Sequence, residues 1–70
     1  MSWIDTPQSS NIARFQYDDQ SRVLRVEFKN GALYGYYDVP SNVFESMQAA
    51  ESKGQFLTQQ VKGRYRYARL

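Results

Sequence analysis

The stretch Arg22-Val23-Leu24-Arg25-Val26-Glu27-Phe28-Lys29-Asn30-Gly31 decides how this chain folds. From Leu24 to Lys29 apolar and charged residues alternate with the period of two that a half-buried strand requires. Asn30-Gly31 follows, the dipeptide most favourable to a β-hairpin, because both residues tolerate positive φ. A second, tyrosine-rich strand then runs from Ala32 to Val39 and stops at Pro40. Working back, Asn11 to Tyr17 reads as a further strand, and Asp18-Asp19-Gln20-Ser21 is a turn of short polar residues that satisfy their own backbone. Three strands joined by short turns make an antiparallel meander.

The hairpin admits two registers, and they place the tyrosines on opposite faces. With a two-residue loop at Asn30-Gly31, Phe28 pairs with Leu33, and Tyr34 and Tyr36 stand on the outer face beside Arg25. With a three-residue loop at Lys29-Asn30-Gly31 and Gly31 left-handed, Phe28 pairs with Ala32. Tyr34 and Tyr36 then join the core face and Tyr37 points out. A slip of one residue flips every side chain. The three-residue loop is preferred, because it sets two large rings over a core that needs them.

After Val39 the period changes. Pro40 suits the first position of a helix, where a missing N–H costs nothing, and Asp38 or Ser41 can cap it. Val43, Met47 and Ala50, with Phe44 beside them, mark one apolar helix face. A second short helix follows Ser52-Lys53-Gly54, carries Phe56, Leu57 and Val61, and stops at Gly63. The last residues, Arg64 to Leu70, alternate again as a short strand or an extended tail. The expected architecture is α+β, β-β-β-α-α with helices on one sheet face. Residues 1–8 read as an N-terminal arm anchored by Trp3, and residues 9–70 as one domain.

Composition narrows the function. The chain has 70 residues, no Cys and no His, which excludes disulfides, Ser–His–Asp and Cys–His nucleophiles, zinc with nitrogen or sulfur ligands, and haem held by His or Cys. A domain this short buries roughly 60% of its unfolded surface, so the 16% of aromatic residues must supply much of the core. No apolar stretch approaches the roughly 20 residues that span a bilayer, and no secretory signal opens the chain. The expectation is a cytoplasmic protein with no membrane role and no cofactor. Asp18-Asp19 is a solvated turn pair, too few oxygen ligands for a hard metal. No pair of acids, lysines or tyrosines has a spacing that argues for acid–base catalysis, so the chain is expected not to be an enzyme.

The net charge of +2 conceals a gradient. Residues 1–51 carry four cations against seven carboxylates, a net of −3, while residues 52–70 carry five cations and no acid, a net of +5. The tail Lys62-Gly63-Arg64-Tyr65-Arg66-Tyr67-Ala68-Arg69 interleaves cations and rings, and an extended chain would put Arg64 and Arg66 on one side, Tyr65 and Tyr67 on the other. Cations neutralise phosphates, and rings stack on unpaired bases. The plainer alternative is a tail whose rings dock on the domain while its arginines face water, and it is the preferred one. Likewise Ser52-Lys53-Gly54 offers a phosphate a helix start and a lysine, but an N-cap and a close-packed glycine explain the same residues. Tyr34 and Tyr36 could form a stacking platform, although tyrosines at strand spacing more often belong to a core.

In sequence the chain resembles the KTSC family, named for a short module at the C-terminus of some lysyl-tRNA synthetases. The resemblance runs from Ser9 to about Tyr65. It rests on Ser9-Ser10-Asn11-Ile12, Tyr17, the Leu24-x-Val26-x-Phe28 strand, Gly31, Tyr34-Gly35-Tyr36, Asp38-Val39-Pro40 and Ser52-Lys53-Gly54-Gln55-Phe56. Tyr34-Gly35-Tyr36 matches the central Tyr-x-Tyr of that family. The resemblance implies a module found both appended and free-standing, with RNA binding suggested by the synthetase context. Two functions follow as expectations. One is a small binding module that contacts RNA or single-stranded nucleic acid weakly, through Lys62, Arg64, Arg66 and Arg69 with Lys53, Arg25, Tyr34 and Tyr36. The other is a protein-interaction or homo-oligomerisation module using Trp3, a sheet edge or an exposed tyrosine face.

Overall fold

A computed structural model gives the structure of the protein and describes residues 3–70. Five antiparallel strands lie in sequential order: β1 (Ile4–Asp5), β2 (Ile12–Asp18), β3 (Val23–Phe28), β4 (Leu33–Tyr36) and β5 (Tyr67–Arg69). Helices α1 (Ser41–Ala49) and α2 (Lys53–Phe56) stand between β4 and β5, and a π-helical turn, Leu57–Val61, extends α2. The three expected strands are thus the middle of a larger sheet. Four strands precede the helices rather than three, because a β1 of two residues is too short to show a period. It pairs Ile4 with Phe15 and Asp5 with Arg14, so part of the expected arm belongs to the sheet. The first two residues of that arm lie outside the described residues.

The hairpin takes the three-residue loop. Phe28 N–H donates to the Ala32 carbonyl at 2.8 Å, and Gly31 N–H to the Phe28 carbonyl at 2.9 Å, with Gly31 at φ +93°. Leu24 therefore faces Tyr36, and Val26 faces Tyr34. Both tyrosines stand on the core side. In β2, Ile12 and Phe15 are both fully buried although three residues apart, a spacing that strict alternation forbids. A bulge between Ile12 and Arg14 resolves it by adding one residue to the strand. Thr6, from the arm, fastens that bulge: its hydroxyl donates to the Ile12 carbonyl at 2.7 Å and its N–H to the Ala13 carbonyl at 3.1 Å.

Ile12, Phe15, Tyr17, Leu24, Val26 and Tyr36 of the sheet meet Val39, Met47, Leu57 and Val61 in one buried cluster. Phe44 of α1 lies flat on Tyr17, 5.0 Å between ring centres, and meets Phe15 edge-on at 5.8 Å. The Tyr17 hydroxyl donates to the Val39 carbonyl at 2.6 Å, tying β2 to the entry of α1. Pro40 stands at the N-cap, one position earlier than expected, and neither Asp38 nor Ser41 caps the helix with its side chain. Ser52 does cap α2, accepting from Gln55 N–H, and Gly63 at φ +82° ends the helical segment. No helix of the described residues is long and apolar enough to cross a membrane.

Candidate nucleic-acid interface

The core face of the sheet does not end at the buried cluster. The strand register carries it outward as a chain of rings: Phe28 at the end of β3, Tyr34 in β4 and Tyr67 in β5. Phe28 and Tyr34 meet edge-to-face, 5.6 Å between centres and 75° between planes. Tyr34 and Tyr67 do the same at 5.9 Å and 79°, and Tyr67 also leans on Tyr36 at 5.8 Å. Such edge-to-face contacts fix ring orientation at separations of this size. Tyr36, at 2% exposure, is the inner end of the chain, and Tyr67, at 63%, is the outer end. Burial pushes the Tyr36 phenol above its ordinary pKa, with Tyr34 and Tyr67 adding to the shift. Its ring supports the others and is not presented to solvent.

Cations flank this chain. Lys62, just past the π-helical turn, holds its ammonium 5.9 Å from the centre of the Phe28 ring. Arg69 is the cross-strand partner of Tyr34 and shares its face. Arg64 is exposed in the link to β5. Among the described residues these three cations make no ion pair.

The remaining predicted residues go elsewhere. Arg66 pairs with Asp38 at 3.2 Å, both side chains being about four-fifths exposed. Arg25 faces Gly35 across the strands on the opposite side of the sheet, with its guanidinium 3.4 Å from the Gln16 side-chain oxygen. Lys53 donates to the Ala50 carbonyl at 3.0 Å and lines a separate groove. The expected docked tail is thus a strand, β5, with Tyr65 half-buried against the core and Tyr67 on the rings. Trp3 anchors the arm through the Arg14 guanidinium, 4.4 Å from its ring centre. In the sequence Phe28 does not stand out as a site residue, because an apolar residue closing an alternating strand reads as core. Only the loop length, which pairs it with small Ala32, exposes its position at the rim.

Comparison with known proteins places this architecture. The KTSC domain model matches residues 8–65. The chain belongs to the KTSC domain family. A region of the lysine–tRNA ligase of Nostoc punctiforme is 36% identical over 64 residues, 91% of this chain but 11% of that protein. The chain therefore spans about a tenth of the ligases it matches. A small protein of Tsukamurella paurometabola is 44% identical over 59 residues, 84% of this chain and 88% of its own length. The crystal structure of a KTSC domain protein from Yersinia pestis superposes with a TM-score of 0.90 at 28% identity, covering 99% of this chain and 96% of that one. KTSC domains thus occur as a small part of tRNA ligases and as short chains made of little else.

Proposed function

We propose that this KTSC domain is a non-catalytic module that binds single-stranded nucleic acid, RNA foremost, through the Phe28–Tyr34–Tyr67 rings and the cations Lys62, Arg64 and Arg69. The observation that carries the reading is the pairing of an exposed ring with cations that no carboxylate neutralises. A base stacked on an aromatic side chain contributes about 1–3 kcal/mol, and each neutralised phosphate adds affinity that salt removes. The tRNA ligases that carry a similar region support RNA as the polymer. Strand addition by a protein partner is a weaker reading. Both sheet edges are short, and β5 is flanked by Arg66 and carries Arg69, charges of the kind that discourage edge pairing.

Titrating a fluorescently labelled single-stranded RNA decamer with the protein at low salt tests the proposal by anisotropy. Saturable binding that weakens as salt rises is expected. No binding at low salt would overturn it.

A further inference from the structure

The loop Thr6–Asn11 and the segment Glu51–Gln59 enclose a groove of about 600 Å³. That lies within the range of about 300–1,000 Å³ typical of small-molecule sites. Its walls are held without a ligand. Ser9 N–H donates to the Thr6 carbonyl, and the Ser9 hydroxyl accepts from Ile12 N–H at 3.0 Å and lies 3.1 Å from the Asn11 side-chain oxygen. A Cβ placed on Gly54 would fall 2.5 Å from that same Asn11 oxygen. The two walls approach so closely only because residue 54 has no side chain.

The lining has a definite chemistry. Asn11, Gln55 and Gln59 bring neutral amides, and the Gln55 and Gln59 side chains have no hydrogen-bond partner among the described residues. An amide sets an N–H donor beside a carbonyl acceptor in one plane, the pattern that reads the edge of a nucleobase. Lys53 uses one of its three N–H groups on the Ala50 carbonyl and keeps two. Against that single cation stand Asp5 and Glu51. Two carboxylates repel a polyphosphate, yet they accept hydrogen bonds from sugar hydroxyls and exocyclic amines. The groove therefore suits a polar, planar, nearly uncharged ligand with at most one phosphate.

We infer that this groove is a second binding site, and that it takes a nucleoside or a nucleoside monophosphate by the edge of its base. It shares no residue with the ring chain and stands whether or not that surface binds a strand. The test is a titration of the labelled protein, followed through its amide resonances, with adenosine, guanosine, cytidine and uridine and their 5′-monophosphates. Shifts should concentrate at Asn11, Gln55 and Gln59, with one base preferred, and the diphosphates should bind no more tightly than the monophosphates. Gln55→Ala and Gln59→Ala, both at exposed positions, should each weaken binding roughly two- to tenfold, the worth of one neutral hydrogen bond. Tyr67→Ala should leave the groove shifts unchanged. Nucleosides that move no groove resonance, or that move only Tyr34 and Tyr67, would overturn the inference, as would unchanged affinity in both glutamine variants. RNA decamer binding without groove shifts sinks this site alone. Groove shifts without decamer binding sink the ring surface alone.

Discussion

Replacing Lys62 and Arg69 together by alanine asks whether charge acts at the place the fold puts it. Each phosphate neutralised on a single strand contributes about −0.7 to the slope of log K against log[salt]. Three unpaired cations, Lys62, Arg64 and Arg69, therefore give a slope of about −2, and the double variant leaves one cation and about −0.7. Between about 50 and 200 mM salt, affinity should fall about 18-fold for the natural chain and about 2.6-fold for the variant. The fold should survive. Both side chains are exposed, and the Lys62–Phe28 contact at 5.9 Å contributes only about 0.5 kcal/mol. Arg25→Ala is the control, because it removes a unit of charge from the other face of the sheet. Anisotropy titrations of an RNA decamer over a salt series, with circular dichroism to confirm folding, read both outcomes. Net charge alone would make Arg25→Ala flatten the slope as much as Arg69→Ala does, and that result would refute the assignment of the surface.

Gly31→Ala should cost about 1–2 kcal/mol, measured by urea denaturation, because Gly31 sits at φ +93° and nothing within 4 Å of the new Cβ adds a clash. An unchanged midpoint would mean that the hairpin loop is not the one described. On the alkaline side, stability should begin to fall near pH 10. Burial raises the Tyr17 and Tyr36 phenols above their ordinary 10.0, so the unfolded chain loses those protons first as pH climbs. Tyr36→Phe should reduce that alkaline loss in urea midpoints measured across the range. Arg69→Glu should weaken RNA decamer binding at least as much as Arg69→Ala does, while light scattering reports the same mass as for the natural chain, since an edge strand is protected by charge of either sign.

The alternation from Leu24 to Lys29 marks the centre of the sheet, while the Asn30-Gly31 step admits two registers, and the need to bury large rings is what favours the one the structure takes. A repeated two-residue period leaves only one face apolar, and the three-residue loop is the one that buries Tyr36. Where period is lacking, the sequence is silent. Two residues of β1 are held by backbone pairing to β2 and by Thr6, neither of which needs a pattern. The bulge in β2 moves Ile12 and Phe15 onto one face, so a real strand reads as irregular. The π-helical turn hangs on Lys62 N–H reaching the Leu57 carbonyl at 2.8 Å, a closure no residue type dictates. For the site, sequence grouped the basic residues because they are neighbours along the chain. The fold separates them, since Arg66 turns to Asp38 and Lys53 to the Ala50 carbonyl.

That separation is also what weighs the binding surface against a purely structural account of the same residues. Docking a tail requires its rings to be covered, and Tyr65, half-buried against the core, meets the requirement. Tyr67 does not, for it keeps 63% of its surface in water while two other tyrosines hold its ring in place. Protecting an edge strand requires charge on that strand, which Arg69 supplies, but it makes no demand on Lys62, which lies on the helical side of the rings. A structural role thus explains each residue singly and leaves their convergence unexplained. A strand of bases and phosphates needs a fixed, exposed ring with cations along its path; Tyr67 offers the ring, Arg69 stands across from Tyr34, and Lys62 lies against Phe28 at the other end of the row.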